Sequence, residues 1–297
     1  MSNSNLNSQK SPASQHFASI RAAEYYENRK ISLNGVANAR QLGGYTTADG
    51  KKIKNNLLLR TGALFGAPPE TLDELSLKYK LCDIIDFRME QEKAAMPEPD
   101  VKGARYHHIS VLSGIPITKE DFEVYKQLLT VEDMPLRYKK MYDANIDISP
   151  AKVYSALAFN DDGIAGYKRF FDILLNKPEG KAVLFHCTQG KDRTGMAAIL
   201  LLSALGADRD TVAADYLMTN EACKPLLDKI RSDLEKAKMP KEVLDFAMFI
   251  ESVDMSFIEP IFDVMDKEFG SVSGYLEKML KLTAADIERL KELYLEN

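Results

Sequence analysis

The chain contains no tryptophan, only four histidines and only three cysteines in 297 residues. The lack of tryptophan excludes any catalytic loop built around an indole. Cys82, Cys187 and Cys223 are odd in number and far apart, and no C-x-x-C pair occurs. That pattern excludes a disulfide framework and a cysteine-rich zinc site, and it points to a reducing compartment. No His/Asp/Glu cluster has metal-ligand spacing, so no metal is expected. Nowhere does an apolar run reach membrane length, and the opening MSNSNLNSQKSPASQHF holds no signal-peptide core. The expectation is a cytoplasmic protein without stable membrane insertion, although unconventional export would leave no such mark. An excess of basic charge is also missing: the net charge is −5, which argues against a general binder of nucleic acid or anionic membranes. Any anion handled here must be drawn by a local field.

What is present is material for a core, with 45% hydrophobic and 28% charged residues, as in soluble globular proteins. Neither a repeat nor a Gly/Ser linker divides the chain. Residues 1–17, rich in Ser, Asn and Gln, read as a disordered tail, and residues 18–297 as a single domain, expected as a monomer. Short apolar runs bounded by turn residues predict buried strands at 56–60 (NLLLR), 81–87 (LCDIIDF), 106–111 (YHHISV) and 181–186 (KAVLFH). Helical spacing at 69–79 and 167–175 lies between them. Alternation of this kind implies an α/β fold, with helices flanking a mostly parallel sheet. After Gly206 the pattern turns wholly helical, over 210–219, 221–237, 241–249, 257–269 and 273–280, with a last helix opened by a capping box at Thr283. Residues 115–150 break helical periodicity with Pro116, Pro135 and Pro150. They read either as a surface insertion or as a lid. As a lid, their face would be Phe122, Tyr125, Leu128, Leu129, Leu136, Tyr138, Met141 and Tyr142.

One stretch concentrates the chemistry: HCTQGKDRTG, residues 186–195, between the apolar run Val183-Leu184-Phe185 and the helix-forming TGMAAILLLSALGA. A cysteine just before a helix N-terminus gains thiolate character, because unpaired N–H groups and the helix dipole favour the anion. The loop Thr188, Gln189, Gly190, Lys191, Asp192, Arg193 can turn its N–H groups inward as an anion cradle, with Gly190 allowing the curvature. Arg193 offers a planar fork that matches two phosphate oxygens. Thr194 can donate its hydroxyl to the sulfur, and His186 fixes the loop through ring hydrogen bonds. Cysteine is often just a small buried hydrophobe. Here Cys, five residues, then Arg-Thr at a strand-to-helix junction outweighs that reading. Cys82 and Cys223 read as packing residues, and His107 and His108 as structural.

His-Cys, five residues, Arg-Thr-Gly resembles the signature of cysteine-dependent protein phosphatases. Its form HC-x-x-GKDRTG resembles the atypical bacterial phosphatases with tyrosine, serine/threonine and phosphoinositide activity. Asn38-Ala39-Arg40-Gln41-Leu42-Gly43-Gly44 looks like the N-x-R-x-L-G-G element of that family, and Leu59-Arg60-Thr61-Gly62-Ala63-Leu64 like its Arg-containing strand end. Asp86-Phe87-Arg88 with Glu92 is similar to its D-L-R…E segment. The similarity covers roughly residues 30–297. Gln41 stands where the family usually carries Asp, so any role of that Asp is not carried over.

The resemblance implies a tyrosine-phosphatase-like fold and hydrolysis of phosphomonoesters through a phosphocysteine on Cys187, without a cofactor. The partners it implies are a phosphoprotein or phosphoinositide substrate and inorganic phosphate as product. Arg60, Arg88 and His186 would support the loop. The leaving oxygen needs a proton donor. Many tyrosine phosphatases use an Asp on a W-P-D loop, which a chain without Trp cannot have. Asp192, inside the loop, is favoured by the resemblance; Asp86, at the C-terminal end of a predicted strand, is the alternative. Lys191 adds a second cation that would favour substrates with more than one phosphate. A rival of another class is a catalytically silent phosphate-binding module. Such proteins generally lose the Cys, the Arg or the acid, and all three are present here.

Overall fold

A computed structural model describes residues 12–112, 118–145 and 149–296. Five strands form one sheet: β1 (Arg40–Gln41), β2 (Leu58–Thr61), β3 (Leu81–Asp86), β4 (Arg105–His108) and β5 (Ala182–His186), in the order β1-β2-β5-β3-β4. All pairings are parallel except β1 with β2, which is an antiparallel edge. The helices before β5 are α1 (Pro12–Arg29), α2 (Pro69–Leu77), α3 (Glu90–Ala95), α4 (Lys119–Leu129), α5 (Met134–Asp143), α6 (Pro150–Phe159) and α7 (Asp161–Leu175). After it come α8 (Asp192–Ala204), α9 (Arg209–Ala222), α10 (Lys224–Lys236), α11 (Lys241–Glu251), α12 (Met255–Phe269), α13 (Val272–Lys278) and α14 (Ala284–Tyr294).

Strand β5 lies at the centre because both its faces are apolar. Val183 and Phe185 enter the large core with α6–α9 and α12–α14, while Ala182 and Leu184 enter a smaller core with Leu59, Leu75 and Ile84 on the opposite face. Phe185 meets Phe87 and Phe170 edge to face. Helix α8 is buried on nearly every side and packs against β5 and α9. The topology therefore delivers the 186–195 stretch to the C-terminal edge of the central parallel strand, at the mouth of the sheet.

Several boundaries differ from the sequence expectations. Residues 12–17 of the expected tail belong to α1, which docks along α9 with Ala22 in the main core; residues 1–11 lie outside the described ones. Strand β4 stops at His108, although the Ile109 amide still donates to the Asp86 carbonyl. The helix expected from 221 begins at Lys224, because Pro225 suits only a first turn.

Of the 115–150 segment, residues 115–117 and 146–148 lie outside the described residues, and α4 and α5 occupy the rest. Tyr138 packs with Ile230, Leu234, Val243 and Ala247 of α10 and α11, and Leu128 and Met141 pack with Phe246 and Ile250. Leu136 and Tyr142 stay exposed, the latter edge-on to Phe246. The side chains of Phe122, Tyr125 and Leu129 are outside the described ones. No described helix is long and apolar enough to cross a membrane.

Candidate active site

The loop after β5 is held open as a ring of donors. Helix α9 is capped by Asp208 and α14 by Thr283, but α8, whose N-cap residue is Lys191, has no side-chain cap. No backbone or side-chain acceptor among the described residues takes the N–H groups of Thr188, Gln189, Gly190 or Lys191. Uncapped donors of this kind at a helix N-terminus bind anions. Gly190 sits at φ +67, and a Cβ there would lie 2.3 Å from the Thr61 carbonyl oxygen, so only glycine closes the loop against β2. Cys187 opens the loop, 2% exposed.

Arg193 is the second residue of α8, and its guanidinium meets Glu92 of α3. Nη1 donates to Oε2 at 2.5 Å and Nη2 to Oε1 at 2.8 Å, while the Thr188 hydroxyl donates to the same Oε1 at 2.5 Å. Burial opposes ionisation of Glu92, but the hydrogen bonds and charge of Arg193 outweigh it and hold the carboxyl at about 2. Burial likewise disfavours the Arg193 charge, and Glu92 more than restores it. The carbonyl of Arg193 accepts from the Tyr167 hydroxyl at 2.9 Å, which fixes the helix start.

The two candidate proton donors are placed differently. Asp192 is about one-third exposed and lines a cavity of about 290 Å³ together with Lys191 and Arg193. Its Oδ1 accepts from the buried Tyr154 hydroxyl at 3.1 Å. Asp86 is wholly buried outside that cavity, forked by Arg88 Nε and Nη2 at 2.8–3.0 Å and bonded by Tyr106 at 2.7 Å. Burial alone would raise its pKa; the bonds from Arg88 reverse this and bring it down to about 2. A carboxylate so held has no proton to give at neutral pH.

His186 is fully buried, with Nδ1 3.2 Å from the Cys187 carbonyl and Nε2 3.2 Å from Glu98 Oε1. Its ring thus lies against the first peptide of the loop from behind. Arg88, expected at the loop, ties Asp86 to Glu98 and the Met96 carbonyl, and Glu98 in turn lies beside His186. Asp86, Glu98 and His186 bring ligand atoms within 4.8 Å of one another, and the Arg88 guanidinium is the cation that both carboxylates already hold. Arg60 does touch the loop: Nη2 donates to the Gly190 carbonyl at 3.0 Å. The Thr194 hydroxyl is buried with no hydrogen-bond partner among the described residues, so its expected bond to the sulfur is not formed.

Around the cavity stand Met89, Leu112, Tyr138, Met141, Pro150, Val153 and Ile250, with Arg137 and Glu251 as the remaining charges beside Glu92 and the loop. Lys191 lines the cavity, and its ammonium is engaged by the protein. It is 6% exposed and donates to the Ile250 carbonyl at 2.6 Å. Gln189 is likewise engaged, donating to Glu251 Oε2 at 3.1 Å, and the other oxygen of Glu251 accepts from Tyr138 at 2.8 Å. One carboxylate at the end of α11 therefore bridges the loop and α5. Sequence reasoning missed Glu251 and Tyr154, which sit on ordinary helical patterns, and it gave Glu92 no role. Cys82 and Cys223 are buried, burial pushing the Cys82 thiol up to about 12 and raising that of Cys223. His107 is bonded to Asp83 and His108 to the Arg88 carbonyl, away from the loop.

The chain is similar to known phosphatases along most of its length. The sequence profile described as the tyrosine phosphatase family matches residues 31–296. A protein of Cupriavidus necator provisionally named a tyrosine-protein phosphatase is 28% identical over 277 residues, which is 92% of this chain and 91% of its own. The triple specificity protein phosphatase PtpB of Mycobacterium tuberculosis is 31% identical over 124 residues, covering 39% of this chain and 45% of its own. A tyrosine-protein phosphatase of Nostoc commune is 42% identical over 53 residues, 18% of either chain.

Proposed function

Because the chain belongs to the tyrosine phosphatase family and is a phosphatase, we propose that it hydrolyses phosphomonoesters by a two-step displacement on Cys187. The Cys187 sulfur attacks phosphorus, forming the S–P bond as the P–O bond to the leaving group breaks. Asp192 gives its proton to the departing oxygen. Water then attacks the phosphocysteine, its proton passes to the Asp192 carboxylate, and the S–P bond breaks to release inorganic phosphate. The N–H groups of Thr188–Lys191 and the guanidinium of Arg193 hold the phosphoryl oxygens as charge builds on them. The observation that carries this reading is the row of unpaired loop N–H groups between Cys187 and Arg193.

Phosphotyrosine is the substrate favoured by the cavity, whose walls of Met89, Leu112, Met141, Pro150 and Val153 suit an aromatic ring. Phosphoserine and phosphothreonine fill those walls less well. Phosphoinositides with several phosphates would need Lys191 freed from the Ile250 carbonyl and would face the carboxylates of Glu92 and Glu251. Turnover of a panel of phosphotyrosyl, phosphoseryl and phosphoinositide substrates by the purified protein tests the assignment. The expected order of kcat/KM is phosphotyrosine first; turnover of phosphoinositides alone would contradict it, and no turnover at all would favour the silent binding module.

A further inference from the structure

Beneath the phosphate loop lies a charged cluster with no access to solvent. Arg40 on β1 and Arg60 on β2 are both 0% exposed, and one carboxylate, Asp215 of α9, serves them both. Arg60 Nη1 donates to Asp215 Oδ2 at 2.6 Å, and Arg40 Nε lies 3.6 Å from Oδ1, which also accepts from Tyr45 at 3.0 Å. Arg40 Nη2 continues to the Asp215 carbonyl and the Thr219 hydroxyl. Two buried guanidinium groups on one carboxylate leave a surplus positive charge. Burial and the neighbouring Arg60 lower Arg40 to about 10, against the pull of Asp215. Such an arrangement is costly unless it does something for its surroundings.

What it reaches is the loop. Arg60 Nη2 donates to the Gly190 carbonyl, and Asn38 Nδ2 donates to the Gln189 and Gly190 carbonyls at 3.0 and 2.9 Å. The other end of the Asn38 amide accepts from Arg40 Nη1. Asn38 sits in the left-handed region at φ +54, which directs its side chain into this position. A trans peptide points the carbonyl of one residue and the N–H of the next in opposite directions. Pinning the Gln189 and Gly190 carbonyls toward Asn38 and Arg60 therefore turns the N–H groups of Gly190 and Lys191 to the other side, where they stand unpaired.

We propose that Asp215 is a positioning residue of the phosphate loop: it anchors the Arg40–Arg60 pair, which with Asn38 fixes the two peptide planes that present N–H groups to the substrate phosphoryl. The inference rests on the phosphatase reading of this site and assigns the Asn38-Ala-Arg40 element its task.

The test separates anion binding from folding. Asn38→Gly keeps the left-handed backbone and every buried charge, and removes the bonds to the loop together with the one from Arg40. It should weaken orthovanadate binding and lower kcat/KM for p-nitrophenyl phosphate by about tenfold or more, while the denaturation midpoint measured without anion shifts little. Asp215→Asn alone strands two guanidinium groups and can fail to fold. The double change Arg40→Gln/Asp215→Asn restores the buried net charge, and it too should fold and bind vanadate about tenfold or more weakly. Wild-type vanadate affinity in Asn38→Gly and in a folded double variant would overturn the positioning role and leave the phosphatase reading intact. A wild-type protein that neither binds vanadate nor turns over would overturn both.

Discussion

Glu92 holds both terminal nitrogens of Arg193, at 2.5 and 2.8 Å, across 101 residues of chain. The pair is bidentate, an arrangement that fixes a guanidinium well. It also leaves the remaining face of Arg193 directed by α3 rather than by the loop alone. Glu92→Ala should therefore lower kcat/KM for p-nitrophenyl phosphate by roughly 10²-fold, the order found for losing one well-aimed donor, and weaken competitive inhibition by phosphate. A rise in phosphate affinity would mean instead that Glu92 competes with substrate for Arg193.

Asp192→Asn should discriminate between leaving groups. With phenyl or alkyl phosphate, whose alkoxide leaves poorly, the rate should fall by about 10²–10⁴-fold. With p-nitrophenyl phosphate, a far better leaving group, the fall should be much smaller. Asp86→Asn should show no such dependence, because Asp86 is buried outside the cavity and forked by Arg88. The reverse pattern would move the proton to Asp86.

Asp86 also makes a pH prediction. Its folded pKa of about 2 lies below the ordinary 3.8, so between those values the unfolded chain binds more protons than the folded one. Stability from this group is complete above the ordinary value and is lost as pH falls toward 2. The loss is on the order of 2 kcal/mol for a shift of this size. Urea titrations between pH 5 and about pH 2 should show a shallower decline for Asp86→Asn, whose stability at neutral pH is lower. An unchanged slope would contradict the ion pair.

The Glu251 bridge between Gln189 and Tyr138 bears on access to the thiol. Glu251→Ala removes both bonds, and it leaves the loop's own contacts with Arg60 and Asn38 in place. If α5 and α11 shield the site, peroxide should inactivate this variant several-fold faster, with turnover of small esters retained. Equal inactivation rates would make the 115–150 segment a structural insertion only.

The reading from sequence succeeded where the signal is local. An apolar run, HCTQGKDRTG and an apolar helix are contiguous, so the strand, loop and helix of the site follow from residues 182–204 alone. What escaped it depends on partners far along the chain. Asp215 is one of 44 acidic residues and looks like any helical Asp until folding sets it against Arg60, 155 positions away. Lys191 read as a second cation for the substrate because its hydrogen-bond acceptor, a carbonyl 59 residues later, leaves no trace in the local sequence. The edge strand Arg40–Gln41 is two residues long, too short for any period to show.

Trapping the intermediate tests the mechanism most directly. The enzyme mixed with substrate labelled in its phosphoryl group, quenched in acid within a turnover and digested, should carry the label on the peptide containing Cys187, as one phosphoryl group per chain. Cys187→Ser should carry none on residue 187 and should not turn over, since serine in this loop is a far poorer nucleophile. A labelled residue other than Cys187, or steady turnover by Cys187→Ser, would contradict a phosphocysteine mechanism.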